Sequence, residues 1–384
     1  MRVLFCHDAP LQKDKDGNYY GLTFNNDTLK RYYDIGEHLT ILLRERPFDQ
    51  QSNYTKINLD KLDIVTVPGF KNIIKISKIV EKEVLESDCV VVRLPSMLGL
   101  IASRIAKKNN IPILVELVGD VWNALNNHSI KGKLIAPLMY LLTKKTVKNS
   151  NYVVYVTKFF LQSRYPTKGQ SESISNVQLQ TLGPEILEKR IKKIKELKNK
   201  EKLIIGTIGA LDVSYKGQDE IIKMLAHLKK INNTQHIEYQ LVGGGNSTQF
   251  KKLAKKLNIL ENVKFLGTMP SNKIYEWLRQ IDIYIQPSKT EGLPRSVIEA
   301  MSQATPVIGS DAGGIPELID EKFLFDHKNS NSEKLYSLLK QMDEKEMLEQ
   351  AKKNYVKSFE YSYEKLRQKR EKSFKEFRNC YVNK

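Results

Sequence analysis

Cysteine is scarce: Cys6, Cys89 and Cys380 are the only three in 384 residues, too few and too scattered for a disulfide framework, and no CxxC or Cys/His cluster has zinc-ligand spacing. A reducing compartment and a cytoplasmic placement are the expectation. Long apolar runs are missing too, since the most apolar uncharged stretches, 94–103 and 134–143, fall short of the roughly 18 residues needed to cross a bilayer. The start, Met1-Arg2-Val3-Leu4-Phe5-Cys6-His7-Asp8, meets an acid before it provides a signal-peptide core and reads as a first strand. Acidic residues are the minority, 44 against 62 Lys and Arg, which leaves a formal charge of +18. Such an excess attracts nucleic acid, an anionic membrane face or a phosphorylated substrate, and charge alone does not choose among them.

What is present is a globular composition, 41% hydrophobic and 28% charged, with enough apolar surface to offset chain entropy. Short β-rich apolar runs alternate with helical patterns over the whole length, the signature of βα units and parallel sheets, so the class is α/β. Strands are expected near Val3 to Cys6, Thr40 to Leu43, Ile64 to Val67, Cys89 to Val92, Ile113 to Glu116 and Tyr152 to Val156. A second set is expected near Leu203 to Thr207, Glu238 to Val242, Val263 to Leu266, Ile281 to Ile285 and Thr305 to Ile308. Two Rossmann-like, doubly wound domains facing a central cleft is the economical reading. The charged stretch 188–202 marks the connection, giving domains 1–187 and 188–360 and a terminal helix in 361–384 able to pack back on the first domain. In such sheets ligands bind beyond the carboxyl ends of the strands.

The most informative segment runs from Ile281 to Met301. Isoleucines 281, 283 and 285 alternate with polar residues until Pro287 stops the strand, and a Gly292-Leu293-Pro294 loop feeds a helix whose apolar face holds Val297, Ile298 and Met301. A helix start offers free N–H groups and a positive dipole end to a phosphate. Glu291 and Glu299 bracket that spot, roughly 12 Å apart if the segment were all helix. That exceeds the roughly 5 to 9.5 Å of a hydrolase carboxylate pair, so the two grip the ends of one long ligand.

This E-x7-E segment, followed by Thr305-Pro-Val-Ile-Gly-Ser-Asp-Ala-Gly-Gly314-Ile-Pro-Glu317, resembles the retaining glycosyltransferases of family 4, which have the GT-B fold. The loop Gly206 to Gly217 is similar to that family's diphosphate-binding loop, and Leu241 to Gly245 and Val263 to Gly267 sit where its nucleotide-contacting turns sit. The resemblance implies a metal-independent, cofactor-free enzyme using a nucleotide-diphosphate sugar. It implies that Glu291 binds donor-sugar hydroxyls, Glu299 holds the ribose, Lys216 neutralises the departing diphosphate, and the amides of Gly292 and Leu293 complete the anion site. Pro294, Arg295, Gly244 and Gly245 would line the donor. The family usually has an arginine where this chain has Ala210, so Lys216, with Arg295, is expected to bear more of the diphosphate charge.

In the first half, Val91-Val-Arg93-Leu-Pro-Ser, Val115 to Trp122 and Tyr152 to Thr157 resemble acceptor domains of capsule and lipopolysaccharide transferases. The implied acceptor is a glycan or polyprenyl-linked glycan over Arg93, Asp120 and Trp122. Asp120 stands where many relatives carry a histidine, and is the catalytic candidate on that side. Tyr20-Gly21 is similar to a glycine loop that approaches the donor phosphates. Residues 131–148 combine Leu134, Leu138, Leu141 and Leu142 with five lysines and no acid. Such a helix lies in an anionic membrane surface, making the protein peripheral on the inner face of the plasma membrane, or packs on the first sheet; its pattern fits both.

Other signals point to bland uses. Gly243-Gly-Gly245-Asn-Ser-Thr248 lacks the third glycine of a dinucleotide fingerprint, and no P-loop sequence occurs. Asp14-Lys15-Asp16 is formally a DxD but lies in a polar loop. The six histidines show no ligand spacing, His128 being of interest only for its nearness to Asp120. A GT-B epimerase or hydrolase is the alternative enzyme. A polyanion-binding protein is the alternative of another class, but the lysines lack the aromatic interleaving of a nucleic-acid surface, so no nucleic-acid partner is expected.

Overall fold

The β-rich runs fold as two separate sheets in the computed structural model, which describes residues 1–49, 54–70, 72–127, 130–177, 179, 183–231, 236–329 and 332–382. The chain divides into two units. The first comprises Met1–Trp122, Ala136–Ile174 and Arg367–Lys384, and the second Asn123–Ile135 and Ser175–Leu366.

The first sheet contains β1 (Arg2–Lys13), β2 (Tyr19–Gly21), β3 (His38–Pro47), β4 (Thr55–Lys56), β5 (Leu62–Val67), β6 (Cys89–Leu94), β7 (Ile113–Leu117), β8 (Tyr152–Tyr155) and β9 (Gln170–Ser173). Its parallel strands lie in the order β5-β3-β1-β6-β7-β8-β9. Val3 to Cys6 is fully buried between β3 and β6, which explains a continuous apolar run rather than an alternating one. β1 runs farther than its apolar core, through a register shift between Cys6 and Pro10, into an antiparallel hairpin with β2.

The second sheet is wholly parallel: β10 (Lys202–Ile208), β11 (His236–Val242), β12 (Val263–Gly267), β13 (Ile283–Gln286), β14 (Val307–Ser310) and β15 (Leu324–Phe325), in the order β12-β11-β10-β13-β14-β15. This is the dinucleotide-fold order, with its topological switch between β10 and β13, where Ile205 lies opposite Ile283.

The charged stretch expected to connect the domains is instead part of the second core. Residues 185–196 form a helix that buries Ile186, Arg190 and Ile194. The Arg190 guanidinium donates to the carbonyls of Leu278 (2.7 Å) and Ile281 (2.8 Å) and to Thr305 Oγ1 (2.7 Å). Burial lowers its pKa to about 10, with Asp282 opposing. The chain enters the second unit by Ser175, and the lysines on the outer face of the helix hide its period. Arg190→Met is expected to cost about 2–4 kcal/mol in urea unfolding, because it strands buried carbonyls.

The terminal helix Tyr363–Phe377 joins the first unit from Arg367 onward. Phe374 stacks on Tyr32 with centroids 5.9 Å apart, and Tyr152 donates its hydroxyl to Glu376 at 3.1 Å.

Candidate active site

Two loops leave the carboxyl ends of β10 and β13 at the switch point of the second sheet, and they are fastened to each other. Gly217 takes φ +73°, and a Cβ there would stand 1.9 Å from the Pro287 carbonyl oxygen. The Lys289 amide donates to the Tyr215 carbonyl at 2.7 Å. This close approach brings Lys216 Nζ within 2.7 Å of Glu291 Oε1.

Glu291 is 12% exposed and Lys216 22%. Oε1 of Glu291 also accepts from Ser288 Oγ (2.7 Å) and Gln286 Nε2 (3.1 Å). Gln286 is itself fixed, its Oε1 accepting from Tyr284 OH (2.6 Å) and Ser296 Oγ (2.9 Å). One oxygen of Glu291 is therefore anchored by three donors, while Oε2 has no protein donor among the described residues.

The amides of Gly292 and Leu293 likewise have no acceptor among the described residues. The helix Arg295–Ser302 follows, without a side-chain cap at Pro294, so its first N–H groups are uncommitted. The Glu291 to Glu299 spacing is thus part loop and part helix, not all helix. Glu299 lies in that helix, half-buried and with no side-chain hydrogen bond among the described residues. Burial raises its carboxyl pKa, with exposed Arg295 pulling the other way. Behind the loop, Gly314 N–H donates to the Gly292 carbonyl at 2.8 Å, and a Cβ on Gly313 would meet the Glu291 carbonyl oxygen at 2.0 Å.

Gly244 and Gly245 shape the neighbouring turn. The Leu211 amide donates to the Gly244 carbonyl at 2.8 Å, and Gly245 adopts φ +99° with Asp212 Oδ1 2.7 Å from where a Cβ would be. Close packing on the β10 loop accounts for Gly245, whereas a Cβ at Gly244 would meet the Thr268 side chain after β12 at 2.9 Å. Ala210 accepts from Gln218 Nε2 at 3.0 Å through its carbonyl and brings no charge.

The first-unit candidates behave differently. Asp120 is buried and internally engaged: Arg164 Nε lies 3.1 Å from Oδ2, and Tyr165 OH and the Trp122 amide donate to Oδ1. The Asp120 side chain is fully shielded, with Oδ2 ion-paired to Arg164 but not hydrogen-bonded, so Asp120 braces the loop after β7 and is not presented to solvent as a base. Trp122 is half-buried and meets Tyr140 edge to face at 6.0 Å. Arg93 is 11% exposed with Glu116 Oε2 3.7 Å away. Gly21 is a strand residue of the β1–β2 hairpin rather than a loop glycine, and a Cβ would meet the Phe24 carbonyl oxygen at 2.1 Å. Asp14 organises the same hairpin, accepting from the Asn18 amide at 2.8 Å and from Tyr20 OH at 3.0 Å. His128 lies outside the described residues.

The helix Ile130–Lys148 buries Ala136, Met139, Thr143 and Val147. The leucine stripe faces solvent: Leu134 is 78% exposed, Leu138 59% and Leu141 62%. Packing of that stripe on the first sheet is therefore excluded. No helix among the described residues is long and apolar enough to cross a membrane.

Sequence reasoning missed Gln286 and Ser288 as holders of Glu291, and Ser296 as a holder of Gln286. The signal available was the Gln-Pro-Ser at the strand end, whose alternate positions face the same side.

The profile of "Glycosyl transferases group 1" matches residues 188–357. Protein CapJ of Staphylococcus aureus is 38% identical over 339 residues, 86% of this chain and 83% of that protein. The lipopolysaccharide core biosynthesis mannosyltransferase LpcC of Rhizobium leguminosarum bv. viciae is 34% identical over 124 residues, 30% of this chain and 33% of that one. Among solved structures, Anabaena HepE in complex with UDP-glucose aligns with a TM-score of 0.65 at 15% identity, covering 98% of this chain and 100% of that one. This likeness fixes the fold, GT-B.

Proposed function

Since the chain belongs to the group 1 glycosyl transferases and is a glycosyltransferase of GT-B fold, we propose that it moves a sugar from a nucleotide-diphosphate donor to a glycan or lipid-linked glycan of the bacterial surface, with retention and without a metal. The observation that carries the donor assignment is the half-anchored Glu291. One carboxylate oxygen is locked by Lys216, Ser288 and Gln286, the other has no protein donor among the described residues, and the amides of the next two residues, Gly292 and Leu293, have no acceptor among them. In this reading Oε2 accepts a donor-sugar hydroxyl and the amides receive a phosphate oxygen, with Lys216 turning to the diphosphate as the sugar bond breaks. Arg295 adds charge at the helix start in place of the cation that Ala210 does not supply. The neutralisation comes from fixed protein donors, so no metal is assigned a role. HepE, crystallised with UDP-glucose, and LpcC, named for lipopolysaccharide synthesis, support the donor class and the pathway class.

Glu299, with no protein donor on its carboxylate among the described residues, is assigned to the ribose hydroxyls, from which it accepts with both oxygens, and most strongly, when ionised. Its raised pKa means that protonation, and with it loss of donor affinity, sets in at a higher pH than for an ordinary glutamate. Calorimetry with UDP-, GDP-, ADP- and TDP-sugars in EDTA is expected to find one binder. Its affinity should fall with pH in the wild type and be lower but nearly flat in Glu299→Gln. Binding only when metal is added, or of no nucleotide sugar at all, would sink the reading.

The exposed leucine stripe, flanked by Lys131, Lys133, Lys144, Lys145 and Lys148, is assigned to an anionic membrane surface, which would place the enzyme beside a lipid-linked acceptor. Leu138→Gln with Leu141→Gln should cut co-sedimentation with phosphatidylglycerol vesicles at least about tenfold, given the apolar area removed. Phosphatidylcholine vesicles serve as the reference, and equal pelleting of both proteins would refute the assignment.

A further inference from the structure

The carboxyl ends of β1, β3 and β6 in the first unit carry cations that the donor reading leaves unused. β1 lies between β3 and β6, where the strand order turns, and ligands of doubly wound sheets bind there. His7, just past the apolar core of β1, stands beside this point together with Arg44 late in β3 and Arg93 near the end of β6.

His7 falls in the register shift of β1, its ring 5.3 Å from that of Phe24, and the Arg93 guanidinium lies 5.4 Å from the same ring. The Ala9 amide donates to His7 Nδ1 at 2.8 Å, so the neutral ring carries its proton on Nε2 and offers an N–H. Burial, then Arg93 and Arg44, holds the His7 pKa down to about 3, so the ring is neutral at physiological pH. Arg44 donates through Nε to the Asp8 carbonyl, and its terminal nitrogens have no acceptor among the described residues.

The acids nearby are shared or turned away, although Glu116 Oε1 is buried with no hydrogen-bond partner among the described residues. Glu116 accepts from Tyr32 OH at 2.8 Å. Burial pushes its carboxyl pKa up, but Arg93, Arg31 and Arg370 together pull it below the usual carboxylate range. One carboxylate thus serves three guanidinium groups, and Arg93 has no hydrogen-bond acceptor among the described residues, Glu116 being 3.7 Å away. Asp8 turns the other way, accepting from Ser96 Oγ (3.0 Å) and the amides of Met97 (2.6 Å) and Leu98 (2.9 Å) at the start of helix Met97–Lys108. A largely buried guanidinium that reaches solvent without a protein acceptor is open to a ligand, and its planar fork matches a carboxylate or phosphate.

We propose that His7, Arg44 and Arg93 form a subsite for an anionic group, a carboxylate or a phosphate, on the acceptor. This rests on the reading that the first unit carries the acceptor. Neutral His7 adds a donor without adding charge, and the two guanidinium groups supply the attraction.

The test is calorimetry on the full chain with two probes, inorganic phosphate and glucuronate, for the wild type, Arg44→Met, Arg93→Lys and Lys216→Ala. At least one probe should bind the wild type, with affinity about tenfold lower in both arginine variants; phosphate binding lost in Lys216→Ala belongs to the diphosphate site of the second unit. Binding of phosphate alone identifies a phosphorylated acceptor, and of glucuronate alone an acidic sugar. Arg93→Lys preserves charge and packing, so it reads the fork rather than the fold. Binding that survives both arginine substitutions, that disappears only in Lys216→Ala, or that is absent from the wild type overturns the subsite. A nucleotide-sugar titration of the same proteins reads the second unit separately, so the transferase reading stands or falls on its own.

Discussion

Lys216→Met is expected to slow sugar transfer by about 10²- to 10³-fold, the loss seen when one preorganised donor to a developing charge is removed, while donor affinity changes only a few-fold. The reason lies in how Glu291 is held. Lys216 is one of three donors to Oε1, and Ser288 and Gln286 remain at 2.7 and 3.1 Å when it is gone, so Oε2 keeps its direction. What disappears is the cation available to the leaving diphosphate, an interaction that strengthens only as the bond breaks and so shows in kcat. Glu291→Ala should instead reduce both affinity and turnover, because it removes the sugar's hydrogen-bond acceptor and frees Lys216 from its partner. The double variant should cost much less than the product of the single losses, since the two side chains share one ion pair. Multiplicative losses in steady-state kinetics would show that Lys216 and Glu291 act independently, against the arrangement at 2.7 Å.

What the sequence revealed and what it concealed follow from the range of the forces involved. Val3 to Cys6 and Ile283 to Gln286 were legible because strands buried on both faces must be continuously or alternately apolar. β2, β4, β9 and β15 were not, being two to four residues long and mostly polar or at sheet edges. The helix around Arg190 read as a linker because its buried polar group is an arginine, whose carbonyl acceptors come from residues about ninety positions or more away. Asp120 read as a free acid for the same reason: Arg164 and Tyr165, which occupy it, are 44 and 45 residues distant. Local pattern locates a site loop, but whether its carboxylate is free is decided by tertiary partners. Glu291 and Asp120 are both acids after strand ends, yet the oxygen without a hydrogen bond is sealed in beside Arg164 in Asp120, whereas the Glu291 side chain keeps 12% exposure.

Gly313→Ala should be nearly as damaging to activity as a change to Glu291 itself, although residue 313 offers no functional group. At φ +62° an alanine costs about 1–2 kcal/mol in backbone strain alone. Its Cβ would also stand 2.0 Å from the Glu291 carbonyl oxygen and 3.1 Å from the Glu291 amide nitrogen. Both obstacles are backbone atoms, so no rotamer change relieves them and the loop must move. Gly314 is pinned to the Gly292 carbonyl at 2.8 Å, so the movement passes to Glu291, Gly292 and Leu293 together. A displacement of about 1 Å at a catalytic constellation costs about 10²-fold in rate. The control is Gly17→Ala: Gly17 has φ +85° with nothing within 4 Å of where a Cβ would stand, so it shares the strain but not the collision. Both variants should lose comparable stability in urea unfolding from strain, with the further loss in Gly313→Ala reporting the clash, while only Gly313→Ala should lose donor binding and turnover. If Gly313→Ala binds donor as well as Gly17→Ala does, the loop after β14 does not set the position of Glu291.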